Sequence, residues 1–284
     1  MLHFARRLAS TVFVLSVAWG VLELRNASAH SPGHAIPDVA TPATSGWGFT
    51  LGGAAMLAPK FEGSRNYGVK PLPVVEIRYA DWFRLSYASG ARIDALALAD
   101  VAQTPFGRFS AGPLVRYVHG RSPSDDDALR GFRSVDGAIE AGGFLGFARG
   151  PWDIDLAFAQ ALNDGSHEAL LADATAGYRF QVTEAMTGRL GGKLGWASAR
   201  YMSEMFGIDA ATSRAAGLPV YAAKSGFKDA GVTLAFQHAL GKGLSLNLVT
   251  GYSRLLGSAA DSPLVSERGA RDQLLGSIGA SFRF

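Results

Sequence analysis

The chain ends on Phe284, and the segment leading to it alternates in polarity. Leu274, Ile278, Ala280, Phe282 and Phe284 fall on one face, and Gln273, Ser277, Ser281 and Arg283 on the other. A period of two describes a strand with one apolar and one polar side. The opposite end reads as an export signal. Arg6 and Arg7 precede an apolar run from Leu8 to Leu22, and Ala27-Ser28-Ala29 fits a small-x-small cleavage site. At about 15 residues the run is shorter than the ~20 a membrane helix needs. Residues 1–29 are thus expected to be a signal peptide. Residues 30–45, rich in Pro, Ala, Ser and Thr without periodicity, are expected to be a loose periplasmic tail. An exported chain closing on an aromatic strand points to an outer-membrane barrel over 46–284.

No later apolar stretch is long enough for a membrane helix. Cysteine is absent, which excludes disulfides, thiol chemistry and cysteine metal sites. The formal charge of +3, with no basic cluster, argues against nucleic acid as a partner. Glycine makes up 35 of 284 residues, about 12% against a usual ~7%, which suits close strands and tight turns.

The body of the chain reads as alternating segments of about ten residues separated by turns, the pattern of a transmembrane antiparallel up-and-down β-barrel. Trp152, Ile154, Leu156 and Phe158 alternate with Asp153, Asp155, Ala157 and Ala159, and Leu244, Leu246 and Leu248 with Ser245 and Asn247. Short connections fall at 80–81, 150–151, 183–184 and 241–242; long ones fall at 59–69, 120–134, 201–226 and 257–271. Their alternation matches short periplasmic turns and long outer loops. Two outward strands cannot be neighbours, so an inward strand must lie between 82–90 and 106–119, and Arg92–Ala99 is the only candidate. The expected inventory is 46–57, 70–80, 82–90, 92–99, 106–119, 135–149, 151–163, 170–182, 185–200, 227–240, 243–256 and 273–284. That is twelve strands; ten is the alternative if two segments fold over the rim. Trp47, Tyr79, Trp82, Tyr117, Trp152, Tyr178, Trp196, Tyr201, Tyr252, Phe282 and Phe284 fit interfacial girdles.

The polar faces carry Glu76, Arg78, Arg84, Arg116, Glu140, Asp153, Asp155, Arg179, Arg189, Lys193 and Arg254, all expected to point into the lumen. Buried charges need partners or water. The preferred reading is a salt-bridged, closed barrel, and the alternative is a narrow pore. Arg116 and Glu140, on adjacent strands, are expected to pair. No catalytic set is found. His167 lies in one loop with Asp164 and Ser166, whereas triad members converge from distant positions. His119 and His238 read as a loop-edge and an interfacial residue. Asp125-Asp126-Asp127 lacks the glycine and terminal glutamate of a calcium loop and reads as a solvated loop. No metal or cofactor site is expected, and no enzyme.

Several motifs, in order along the chain, resemble the MipA/OmpV family of outer-membrane proteins. They are Tyr67–Pro73 (YGVKPLP), Gly112–Arg121 (GPLVRYVHGR), Ile139–Gly143 (IEAGG), Tyr201 with Phe206-Gly207-Ile208, Asp229, Leu255–Leu264 (LLGSAADSPL) and the terminal Phe284. Phe61 departs from the tyrosine more usual there. The resemblance implies a non-enzymatic outer-membrane barrel. One family role is a scaffold joining a lytic murein transglycosylase to a bifunctional murein synthase; other members look like surface-contact proteins. Gly142 and Gly143 are expected to permit a bend or a close approach. Asp261-Ser262-Pro263 is expected to set a turn.

Overall fold

A computed structural model describes residues 46–87, 90–162 and 169–284. The expected signal peptide (1–29), the tail (30–45) and Asp164, Ser166 and His167 lie outside the described residues.

The chain winds through β1 (Trp47–Pro59), β2 (Tyr67–Tyr79), β3 (Phe83–Ser86) and β4 (Gly90–Ile93). A short helix, α1 (Ala95–Leu98), and the two-residue β5 (Gln103–Thr104) precede β6 (Gly107–Val118). Then follow β7 (Ala138–Arg149), β8 (Trp152–Ala161), β9 (Leu170–Thr183) and β10 (Met186–Ala197). Helices α2 (Ala199–Phe206) and α3 (Ala210–Ala216) lead to β11 (Gly226–Gly241) and β12 (Leu244–Leu255). Helices α4 (Gly257–Ala260) and α5 (Pro263–Ser266) lead to β13 (Asp272–Arg283).

Every ladder is antiparallel, β1 pairs with β13, and β4 pairs with β6, so twelve strands close a ring. β5 stands outside it as a ribbon on β6. The twelve-strand expectation holds. Closure joins the first strand to the last, as strands that cross hydrocarbon require, with the upper edge of β2 left unpaired among the described residues.

The side chains obey the alternation. Trp152, Ile154, Leu156 and Phe158 are exposed on the outer surface, as are Leu244, Leu246 and Leu248. Gln273, Ser277 and Ser281 are buried on the inner one. Trp47 packs at a tilt against Tyr79 (centroids 4.7 Å), Tyr79 edge-on against Trp82 (5.6 Å) and Trp152 at a tilt against Tyr178 (4.6 Å), a girdle at the short-turn end. Arg254 departs from expectation. It shares parity with Leu246 and Leu248, so it faces outward, half-exposed, and pairs with Asp272 at 2.6 Å. Tyr252 also bonds Asp272 (2.5 Å), and this charged trio marks the outer limit of the apolar band.

The expected strand over Arg92–Ala99 stops at Ile93. Asp94 caps α1, its carboxylate accepting from the amides of Leu96 (3.1 Å), Ala97 (3.2 Å) and, across the seam, Ala111 (3.2 Å). Ala-Leu-Ala-Leu alternates like a strand but consists of the two residues with the highest helix propensity. The expected strand 82–90 likewise shortens to Phe83–Ser86.

Candidate functional site in the capped lumen

Four long connections (60–66, 119–137, 198–225 and 256–271) meet over the outer mouth. They were read as polar, yet each contributes to one buried cluster. Phe61 comes from the first, Leu129 and Phe132 from the second, Ile208 and Leu218 from the third, and Leu264 from the fourth. α2 buries Tyr201, Met202, Met205 and Phe206 against Leu255, Ala259 and Val265. Tyr201 is therefore inside the cap and not in the girdle.

Polar groups fasten these loops. Arg268, in the fourth, donates to the carbonyls of Ala128 (3.1 Å) and Arg130 (3.1 Å) in the second and of Ala216 in the third. Ser262, fully buried, donates to the Phe206 carbonyl at 2.7 Å, so the Asp261-Ser262-Pro263 turn is part of the packing. The acidic run is not solvated throughout. Asp126 is buried and accepts from Ser64 (2.8 Å) and Asn66 (3.0 Å), and Asp125 is buried and accepts from the Ser122 amide (2.7 Å). Local donors replace water for these two; Asp127 stays outside. Among the described residues no group of three or more His, Cys, Asp or Glu is arranged to hold a metal.

Beneath the cap runs a chain of alternating charges. Tyr201 donates to Glu62 at 3.0 Å, and Lys228 bonds both Glu62 and Asp229. Lys193 lies 3.7 Å from Asp229 and 3.2 Å from Asp173. Arg116 completes the series with Asp173 at 3.2 Å and Glu140 at 2.6 Å. The expected Arg116–Glu140 pair is thus present, the two residues standing directly opposite in the β6–β7 ladder. Four acids (Glu62, Asp229, Asp173, Glu140) face three bases (Lys228, Lys193, Arg116), so each cation bridges two anions. A register shift sets the pivot. Gly195 pairs with Asp229 and Trp196 with Phe227, leaving Lys228 as the extra residue of a bulge. Two consecutive side chains then turn inward, which regular alternation forbids. Gly195 makes room, since a Cβ there would lie 3.0 Å from the Asp229 carboxylate.

Burial tunes the cap-side members. The Tyr201 phenol is pushed well above its usual pKa, first by burial and then by the Glu62 carboxylate, so it remains a donor. Arg121, buried beneath Phe132, is lowered to about 10, chiefly by burial. Its Nη2 donates to the Glu204 carbonyl (3.2 Å), while Nε and Nη1 have no protein partner.

Nearer the short turns lies a second belt. Arg189 pairs with Asp153 at 2.5 Å, Arg179 meets the same carboxylate at 3.3 Å, and Arg78 pairs with Glu76 at 2.5 Å. Arg92 holds Asp155 through both terminal nitrogens (2.9 and 3.1 Å) and lies 4.7 Å from the centre of the Phe144 ring. Burial is deepest at the cap end of the first chain of charges, while its far end, Arg116 and Asp173 (22% and 20% exposed), is no drier than Arg189 and Asp153 (12% and 17%). The Glu62 and Asp229 side chains are 1% exposed and Lys228 6%, against 27% for Asp155 and 29% for Arg179. The lumen is a cup, sealed by the cap and wetted from the short-turn end.

The two described histidines sit at opposite ends. His238 pairs with Met186 beside the β9–β10 turn, and His119 follows β6 at the loop end with its ring 5.0 Å from Tyr117. Sequence reasoning found most of the second belt. It missed Glu62, Lys228, Arg121 and the inward turn of Tyr201. The apolar residues of the long loops, Met202, Met205, Phe206 and Leu264, carried the signal for the cap.

Twelve antiparallel strands closed into a ring, an apolar outer band, an aromatic girdle, short turns on one side and long loops on the other define an outer-membrane β-barrel, residing in the outer membrane. The chain belongs to the family described as MltA-interacting protein MipA, whose profile matches residues 51–284. No curated protein matches the sequence. Among solved structures the chain is similar to a NanC porin at 10% identity, with 82% of this chain and 98% of that chain covered and a TM-score of 0.41. It is also similar to outer-membrane OmpT of Vibrio cholerae at 7% identity, with 84% and 97% covered and a TM-score of 0.34. Neisserial surface protein A follows at 11% identity, 86% and 98% covered, and a TM-score of 0.24.

Proposed function

We propose that this barrel is a non-enzymatic platform that receives a murein-remodelling enzyme from the periplasm. Family membership supports a lytic murein transglycosylase as one partner, and a murein synthase held alongside it is the fuller form of the same reading. The observation that carries it is the cap. A packed core drawn from all four long loops sits over a buried chain of ion pairs, an arrangement suited to rigidity and not to the passage of solutes. The more accessible lumen charges, including Arg179 and Asp155, lie toward the short-turn end, which on this reading is the end a periplasmic partner would meet.

Two measurements on the refolded mature chain test this together. In a planar bilayer it is expected to show no stable conductance steps. In detergent micelles it is expected to bind a purified lytic murein transglycosylase, with affinity that falls as salt screens the charges. Charge-selective steps that vanish on substituting Arg84 or Arg189 would establish a diffusion pore instead, and the platform reading would be abandoned.

A further inference from the structure

One quarter of the wall is low. β3 and β4 have four residues each, against thirteen in β2 and twelve in β6. β3 pairs with β2 only over Glu76–Tyr79, and the last bond runs from the Tyr87 amide to the Val75 carbonyl (3.0 Å). From Tyr67 to Val74 this edge of β2 has no strand partner among the described residues, roughly 25 Å of edge at ~3.3 Å per residue. The other edge is paired with β1 throughout. Val69, Pro71 and Pro73 are exposed on the outer surface, between Tyr67 at the loop end and the Tyr79–Trp82 girdle. The open edge therefore lies at membrane depth, where no water satisfies backbone groups.

Its chemistry is lopsided. The Val75 carbonyl points toward β3, so by alternation the backbone groups of Val69, Pro71 and Pro73 point the same way. Proline has no amide hydrogen. Over Tyr67–Val74, Tyr67 included, the edge thus offers four carbonyl acceptors and two donors, at Tyr67 and Val69, with no donor from Pro71 to Pro73. A strand from a second copy or another protein would need donors where the prolines have none. The complement is long, apolar and donor-bearing. We propose that this edge of β2 is a lateral binding site for an outer-leaflet lipid whose acyl chain lies along Val69–Val75 and whose head-proximal hydroxyl or amide groups donate to the Pro71 and Pro73 carbonyls. The site is independent of the periplasmic platform reading.

The chain has no cysteine, so single labels are clean. A bimane on Val69→Cys reports on the edge. One on Leu248→Cys, paired on both sides by Phe236 and Ile278, reports on ordinary lipid contact. The mature chain is refolded into vesicles of phosphatidylcholine with brominated acyl chains, which quench both labels. Unbrominated rough lipopolysaccharide, which carries hydroxyacyl and amide groups, is then titrated in. Quenching at Val69 is expected to be relieved at about fivefold lower mole fraction than at Leu248, the factor that one net hydrogen bond of ~1 kcal/mol supplies. Equal relief at both positions would mean annular lipid only and would overturn the proposal. Equal preference for unbrominated phosphatidylcholine, which has no hydrogen-bond donor, would overturn the donor basis. A Val69 label that is unquenched from the start, with the unlabelled Val69→Cys protein forming a disulfide-linked dimer under oxidation, would assign the edge to a second copy and overturn the proposal outright.

Discussion

Replacing Lys228 by methionine is the sharpest test of the capped lumen. The ammonium bonds the Glu62 and Asp229 carboxylates, each only 1% exposed. Methionine fills similar volume, so packing loss is small and the effect isolates charge. Asp229 keeps Lys193 at 3.7 Å, whereas Glu62 is left with the Tyr201 hydroxyl at 3.0 Å. Removing one partner of a buried pair costs about 3–5 kcal/mol, because the remaining charge stays desolvated. The variant should lose that much in urea unfolding of the vesicle-embedded barrel, read as the shift in midpoint at unchanged slope. Glu62→Gln added to Lys228→Met removes the stranded charge and should restore at least half of the loss, a coupling the double-mutant cycle measures directly. A Lys228→Met loss below ~1 kcal/mol, or no recovery in the double variant, would refute the view that this triad is a buried, mutually dependent unit.

Other consequences follow from single contacts. Arg116→Glu puts a third acid between Glu140 and Asp173 and should cost about 3–5 kcal/mol; unchanged folding yield and heat resistance would count against the pair. A methyl at Gly142 would sit 1.9 Å from the Phe158 carbonyl oxygen, but one at Gly143 would meet the end of the Phe158 ring at 3.0 Å and the Gly112 carbonyl oxygen at 3.3 Å. Gly142→Ala should therefore destabilise by about 1–3 kcal/mol and Gly143→Ala by less, and reversal of that order in urea unfolding would show the close approach to be elsewhere. Arg268→Ala unfastens three loop carbonyls and should expose the 198–225 connection to protease while the barrel stays heat-resistant; an unaltered digestion pattern would deny Arg268 that role. The Asp209 carboxylate caps α3 through the Thr212 amide (2.7 Å) and is lowered from 3.8 to about 2, chiefly by that bond. Its folded pKa is depressed, so the capping contribution is present above 3.8 and lost as pH falls through about 2. An NMR titration of its side-chain carbon should show a midpoint near 2, and a midpoint near 3.8 would disprove the cap.

The parts of the molecule that obey a period of two were legible. Parity placed twelve strands, and the same parity put Arg116 opposite Glu140, because regular ladders convert sequence alternation into facing side chains. What escaped reading breaks the period. Lys228 and Asp229 both turn inward because a bulge inserts one residue. Arg254 was misassigned because its charge was given more weight than its parity with Leu246 and Leu248. The Ala95–Leu98 helix hid in an alternation of two helix formers. Glu62, Arg121 and Tyr201 sit in connections, where no period exists and only the scattered Phe, Met and Leu residues showed that the loops pack as an interior.

The irregularities also share one physical origin. The β4–β6 ladder joins only two residue pairs, Ala91 with Val115 and Arg92 with Leu114, so the backbone closes the ring weakly there. Side chains take over. Arg92 reaches across the lumen to hold Asp155 on β8 with two bonds, and Asp94 ties β4 to β6 through the Ala111 amide and Arg108 (3.2 Å). Elsewhere part of the lining is apolar. Met56, Ala58, Leu72, Ala235, Val249 and Leu275 form an apolar lining across β1, β2 and β11–β13. Charge in this lumen is therefore paired within the wall: at the short seam, in the chain under the cap, and in the belt of Arg189, Asp153 and Arg179. A conduction path would instead place rings of one sign along an open axis. The low wall, the side-chain seam and the packed cap together show where side chains, and not backbone ladders, hold this barrel closed.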